Sequence, residues 1–260
     1  MINYTLNLKD LEYFLCILVR ISAFIFVAPI FSQRGVPGRF KISFSVFLAI
    51  LMYGVIGEHP ELEYTTVFAY AAIVIKEAIT GLLIGFSAAI CNTIVDFAGR
   101  IIDMEIGLSM VNLIDPGTNQ MGSASGVIYQ YGIMLMLLLT GMHRYLIQAL
   151  AETFTLIPVN GAVVHTGRLI DSVLKFMSDY VAIGFRICLP VFAVMLLLNA
   201  VLGIMARVAP QMNMFSVGMQ IKVLVGLCVL FFTIGMLPSI SNFIFIEMKE
   251  MMTSFVKVMV

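Results

Sequence analysis

Apolar positions along the chain gather into long runs, and polar residues collect between them. Runs at about 11–31, 40–57, 67–95, 127–157, 181–206 and 221–246 approach or exceed the roughly 20 residues a helix needs to cross a hydrocarbon core. Six apolar segments, all helical, are therefore predicted. Several are interrupted: Arg20 sits within the first, Lys76-Glu77 within the third and Arg186 within the fifth. Each such charge needs a counter-charge, a carbonyl or water. Pro190 and Pro238 fall inside apolar runs, where a missing backbone N–H predicts a kink or break. His143-Arg144 leaves the fourth run open to division into two shorter helices. Breaker-rich stretches lie at 31–41, 157–167 and 206–222, with an acidic one at 57–64. The second of these, 157–167, sets a boundary between a larger part, 1–160, and a smaller one, 161–260.

Composition settles the solvent. Hydrophobic residues are 61% of the 260 and charged residues 12%, with mean hydropathy +1.03; a soluble domain carries about 25% charge. The chain reads as an integral membrane protein. Its formal net charge is zero, which gives no basic face for nucleic acid. Lys9, Asp10 and Glu12 precede a first run long enough to stay as a span, unlike a cleaved signal peptide. Cys16, Cys91, Cys188 and Cys228 are isolated inside apolar runs and read as small hydrophobes. No Cys/His ligand spacing, triad, phosphate loop or cofactor motif is present, so neither a metal nor a cofactor is expected and the chain does not read as an enzyme.

Charge bias gives no orientation. With six alternating spans, and with the charges inside segments left aside, one side collects Arg34, Arg39, Lys41, Arg100, Arg207 and Lys222. The other collects Lys9, Arg144, Arg168, Lys175, Lys249 and Lys257. Equal totals leave the positive-inside rule silent. Either the number of spans differs from six, or these hairpins do not sit in a bilayer as ordinary spans.

The densest candidate chemistry lies mid-chain. On a helix, Asp96, Gly99, Asp103 and Gly107 form one stripe, and Arg100 can pair with Asp96 or Asp103. Carboxylates at bilayer depth cost roughly 2.5–3.5 kcal/mol each on insertion scales, so the stripe needs water or another chain; its glycines would admit a close helix backbone. A helix surfacing into solvent with a local ion pair fits the same residues. Beyond it, Asp115-Pro116-Gly117 is a turn signal, flanked by Met104, Met110 and Met121. Nineteen methionines in the chain suit gap-filling in a core as well as a surface that changes shape.

Four stretches carry a resemblance. "RISAFIFVAPIFSQRGVPGRFK" (20–41), "VDFAGRIIDMEIGLSMVNLIDPGT" (95–118), "TGMHR" (140–144) and "RVAPQMNMFSVGMQIK" (207–222) resemble, in this order, the FliR family. These are subunits of the flagellar type III export gate, related to the injectisome subunit SctT. Gln220 departs from the family's usual Pro between Gly218 and Lys222. The resemblance implies a chain with a FliP-like part over 1–160 followed by a FliQ-like part over 161–260. It implies assembly with FliP and FliQ homologues, and with FlhB and FlhA, in the bacterial cytoplasmic membrane at the flagellar basal body, for export of unfolded flagellar proteins.

The resemblance also implies residue roles. Segment 106–122, with Gly107, Met110, Asp115, Pro116, Gly117, Met121 and Gly122, would project into the channel as a plug. Asp96, Gly99, Arg100 and Asp103 would serve subunit packing or pore lining. Arg207, Pro210, Asn213, Phe215 and Gly218 would shape a turn at an entrance or subunit contact, although Pro and Gly in a turn and Arg and Asn at helix ends also suit a plain connection. Two other classes remain open on residues alone. A secondary transporter or ion channel also uses broken helices and buried charge, but would show matched internal repeats. A membrane enzyme would use Asp96 or Asp103 as a base.

Overall fold

A computed structural model of the chain describes residues 8–33, 35–57, 60, 62, 64–110, 113–114, 121–163, 165–209, 211 and 214–260. It is helical throughout apart from one very short hairpin. Helices α1 (Leu8–Val27), α2 (Gly38–Ile56) and α3 (Val67–Ile106) lead to a single 3-10 turn, Leu108–Met110. The hairpin follows, as β1 (Leu113–Ile114) and β2 (Met121–Gly122). The rest is α4 (Ala124–Leu139), α5 (Met142–Leu156), α6 (Thr166–Val208), α7 (Met214–Ile234) and α8 (Leu237–Met259).

Two compact units are built from these helices: 1–90 with 141–175 and 247–260, and 91–140 with 176–246. In the first, α1 buries Tyr13, Cys16, Ile17, Arg20, Ile21 and Phe24, the three- and four-residue spacing of one helix face. It lies against Gly81 and Gly85 of α3. A Cβ at Gly81 would overlap the Arg20 carbonyl, and one at Gly85 would come within 3.0 Å of the Phe24 carbonyl oxygen. In the second, Gly184 of α6 lies under the Phe97 ring and Gly226 of α7 under Ile106 of α3. Glycine at these positions sets the spacing of the helices.

Segment boundaries differ from the sequence-based expectation in physically readable ways. The third segment does not end at Val95: α3 continues as a helix to Ile106, because the charges at 96–105 interrupt hydropathy without breaking the backbone pattern. Gly107, at φ +92°, ends it. The fourth run divides into two shorter helices, as its sequence allows, but at Thr140-Gly141 and not at His143-Arg144, with Gly141 at φ +73°. The sixth divides next to Pro238, where a break is expected: α7 stops at Ile234 and α8 starts at Leu237, with Pro238 in the first turn, where its missing N–H removes no helical bond. Pro190 makes no break, since α6 runs through it, with Val191 and Met195 buried beyond it.

Among the described residues, four helices are long and apolar enough to cross a membrane: Gly38–Ile56, Val67–Ile106, Gly167–Val208 and Ser216–Ile234; α4 and α5 taken as one broken span make a fifth. Helix α1, the first expected span, is not among these four. At 20 residues it is long enough, but Lys9, Asp10, Glu12 and Arg20 make it too charged, and its buried face is filled by its own chain.

Candidate functional site

The base of segment 107–122 is built where the end of α3 meets the start of α4. Ser123 caps α4, its hydroxyl accepting the Gly126 N–H at 2.7 Å, which satisfies a helix-terminal donor. Asp103, 3% exposed, accepts from the Ser125 backbone N–H at 3.2 Å and from the Ser125 hydroxyl. One buried carboxylate thus ties the two ends of the segment together. Gly99 and Gly126 meet backbone to backbone: a Cβ on Gly99 would overlap the Gly126 N and Cα, and one on Gly126 would meet the Ser123 Oγ at 2.9 Å.

Asp96, Gly99 and Asp103 of the stripe face α4 of the same chain, the Asp96 Oδ1 lying 3.3 Å from where a Cβ on Gly126 would sit. Asp96 is half-buried and pairs at 2.9 Å with the exposed Arg100, one turn further on; Arg100 chooses Asp96 and not Asp103. Exposed pairs of this kind contribute about 0–1 kcal/mol. From the base, the chain leaves α3 through Gly107, makes the turn Leu108–Met110 and returns through the antiparallel pairs Leu113–Gly122 and Ile114–Met121. Asp115, Pro116 and Gly117 lie outside the described residues.

The second candidate group spans the connection between α6 and α7. Arg207 is exposed in the last turn of α6. Gly218 is buried in α7, 3.5 Å from the Leu202 side chain in the geometry a Cβ would adopt. Phe215 lies in the first turn of α7, and Pro210 and Asn213 lie outside the described residues.

Sequence reasoning did not find the partners of the stripe, Ser123, Ser125 and Gly126. A serine directly before an apolar run is an N-cap signal, and it was legible at Ser123. Nor did it find the polar knot in the other unit. There Arg20 and Glu77, both fully buried, pair at 2.5 Å. The Arg20 guanidinium also donates to the Ile157 carbonyl at 2.8 Å and, more distantly, to those of Thr153 and Pro158. It lies 4.4 Å from the centre of the Phe154 ring. Glu77 accepts the Asn160 N–H at 2.8 Å, and Lys76 donates to the Asn160 carbonyl at 2.7 Å. Among the described residues, no group of three or more His, Cys, Asp or Glu side chains could hold a metal ion.

Long apolar helices and wide exposed apolar faces mark an integral membrane protein. Comparison with known proteins agrees. The family described as "Bacterial export proteins, family 1" matches residues 11–248. The flagellar biosynthetic protein FliR of Bacillus subtilis is 33% identical over 219 residues, 84% of each chain. The FliR of Escherichia coli is 28% identical over 229 residues, 87% of this chain and 84% of that one. That of Aquifex aeolicus is 27% identical over 218 residues, covering 84% and 83%. The chain belongs to the FliR family of bacterial export proteins. It is a flagellar export component of the inner membrane, with a structural and transport role alongside other proteins of the export apparatus.

Proposed function

We propose that the chain is a core subunit of the flagellar type III export gate, forming part of a channel closed at rest, with segment 106–122 as its plug. FliP and FliQ homologues would complete the channel in the cytoplasmic membrane at the basal body, with FlhB and FlhA alongside and unfolded flagellar proteins as cargo. The division into a FliP-like part, 1–160, and a FliQ-like part, 161–260, belongs to the same proposal.

The observation that carries this reading is the clamped base. A plug must fill a lumen yet withdraw, so its ends need fixing while its tip needs pliable contacts. Asp103 with Ser125, and Gly99 with Gly126, fix the ends. The stretch between holds Met110, Met121 and the Asp115-Pro116-Gly117 sequence, a turn signal, thioethers being deformable filler. Asp96, half-buried, and Arg100, exposed, lie beside the base and are the pair left to line the pore or meet a neighbouring subunit. Arg207 to Gly218 would form the turn at a subunit contact.

The test is flux through the assembled gate in cells. Removing about ten residues around Asp115–Gly117 should let small ions and metabolites leak while the subunits still assemble. Met110→Ala alone should change leakage little, because one thioether burial contributes only about 1 kcal/mol. A deletion that assembles normally and stays as tight as wild type would reduce the segment to a connecting loop.

A further inference from the structure

Arg186 lies within the fifth apolar run and has no hydrogen-bonding or ionic partner among the described residues. Arg20, Glu77 and Lys76 are matched as described, whereas Arg186 is exposed on α6. Its guanidinium lies 5.1 Å from the centre of the Phe243 ring of α8. A ring beneath the guanidinium orients the plane but neutralises no charge, and the N–H fork at its edge is left open.

The surface around it is apolar. Ala182, Arg186, Leu189, Ala193, Leu197, Ala200 and Ile204 follow one another at spacings of 4, 3, 4, 4, 3 and 4, a single stripe on a helix, and all seven are exposed. Alanine at three of the seven positions lets another helix backbone come close, which packing against lipid does not require. A helix seated there would remove Arg186 from water. An unpaired guanidinium in that setting costs several kcal/mol, and a carboxylate approaching in the plane of the fork is the group that offsets it with two parallel hydrogen bonds.

We propose that this stripe of α6 is a docking face for a helix of another subunit, and that an Asp or Glu on that helix pairs with Arg186. The inference rests on the proposed export-gate assembly and specifies the chemistry of one of its contacts.

The test co-expresses the tagged full chain with FliP and FliQ homologues and measures what is retained on purification. Wild type should retain both. Arg186→Leu should lower retention by about tenfold or more, because a truncated partner leaves the opposing carboxylate desolvated, while Arg186→Lys keeps most of it. A photo-reactive residue at Ala193 should cross-link to a helix of another subunit that carries an Asp or Glu. Changing that residue to Lys should restore retention to Arg186→Glu, a rescue that a merely misfolded variant cannot show. Retention unchanged in Arg186→Leu and Arg186→Glu would overturn the docking face while leaving the assembly standing. A lipid adduct and no protein adduct at Ala193 would assign the face to the bilayer and overturn it too. Wild type that retains neither partner would overturn the export-gate reading itself, and this inference with it.

Discussion

At the scale of single residues, the informative positions are those where a charge is buried and fully answered. Arg20 and Glu77 are separated by 57 positions, and the carbonyls that Arg20 reaches lie 133 to 138 positions away. The sequence shows that Arg20, Lys76 and Glu77 need partners, because they interrupt apolar runs. It cannot show that they satisfy one another, since nothing local encodes contact over such separations. Removing one member leaves the other as an unmatched buried charge. Arg20→Leu or Glu77→Leu should therefore each destabilise the fold by about 3–5 kcal/mol. The double variant should recover most of that loss, because it removes both charges together. Thermal unfolding in mild detergent checks this. Additive losses in the double variant would show that the pair is not the unit that matters, and that the carbonyl contacts of Arg20 dominate instead.

Among the elements, helix identity was legible and helix extent was not. Apolar runs located every long helix, but hydropathy ended α3 ten residues or so too early and joined α7 to α8. Hydropathy reports solvent preference, whereas a helix ends where the backbone demands it, as at Gly107 and Gly141 with their positive φ. The stripe at 96–103 was legible as a helix face, yet its partners were not. Asp96, Gly99 and Asp103 lie against α4 while Arg100 turns outward, because Ser125 and Gly126 lie across from the stripe and not from the flank that carries Arg100. The Gly99–Gly126 contact is backbone against backbone, so neither side can yield by rotating a side chain. Gly99→Ala should cost about 1–3 kcal/mol through overpacking, and Ser125→Ala about 1.5–3 kcal/mol through loss of a bond to a carboxylate. Both should raise protease cleavage within 107–122 in the assembled protein before they lower overall thermal stability. Cleavage equal to wild type in both variants would show that the base does not hold the segment.

For the whole molecule, the decisive surface is the outer one. Phe68 is 89% exposed, Phe231 72%, Phe232 76% and Leu197 70%. Large apolar side chains left open over several helices must be covered, by lipid tails or by other chains. Among the described residues four or five helices meet the requirement for a span, fewer than the six whose alternation shares Lys and Arg equally between two sides. The charges inside unit 1 are matched within the chain, so instability of an isolated subunit would originate at its surface and not in that core. Produced alone, the chain should keep its helix content yet be poorly stable and polydisperse on size-exclusion chromatography. Co-expression with FliP and FliQ homologues should yield a single species at several-fold higher recovery. Raising the detergent-to-protein ratio separates the two coverings. If lipid-like cover suffices, excess detergent alone gives a monodisperse subunit. If subunits provide the cover, detergent leaves the material polydisperse and only the partners rescue it. A stable monodisperse monomer without partners would therefore count against assembly as the source of its stability, and would return these exposed faces to the bilayer.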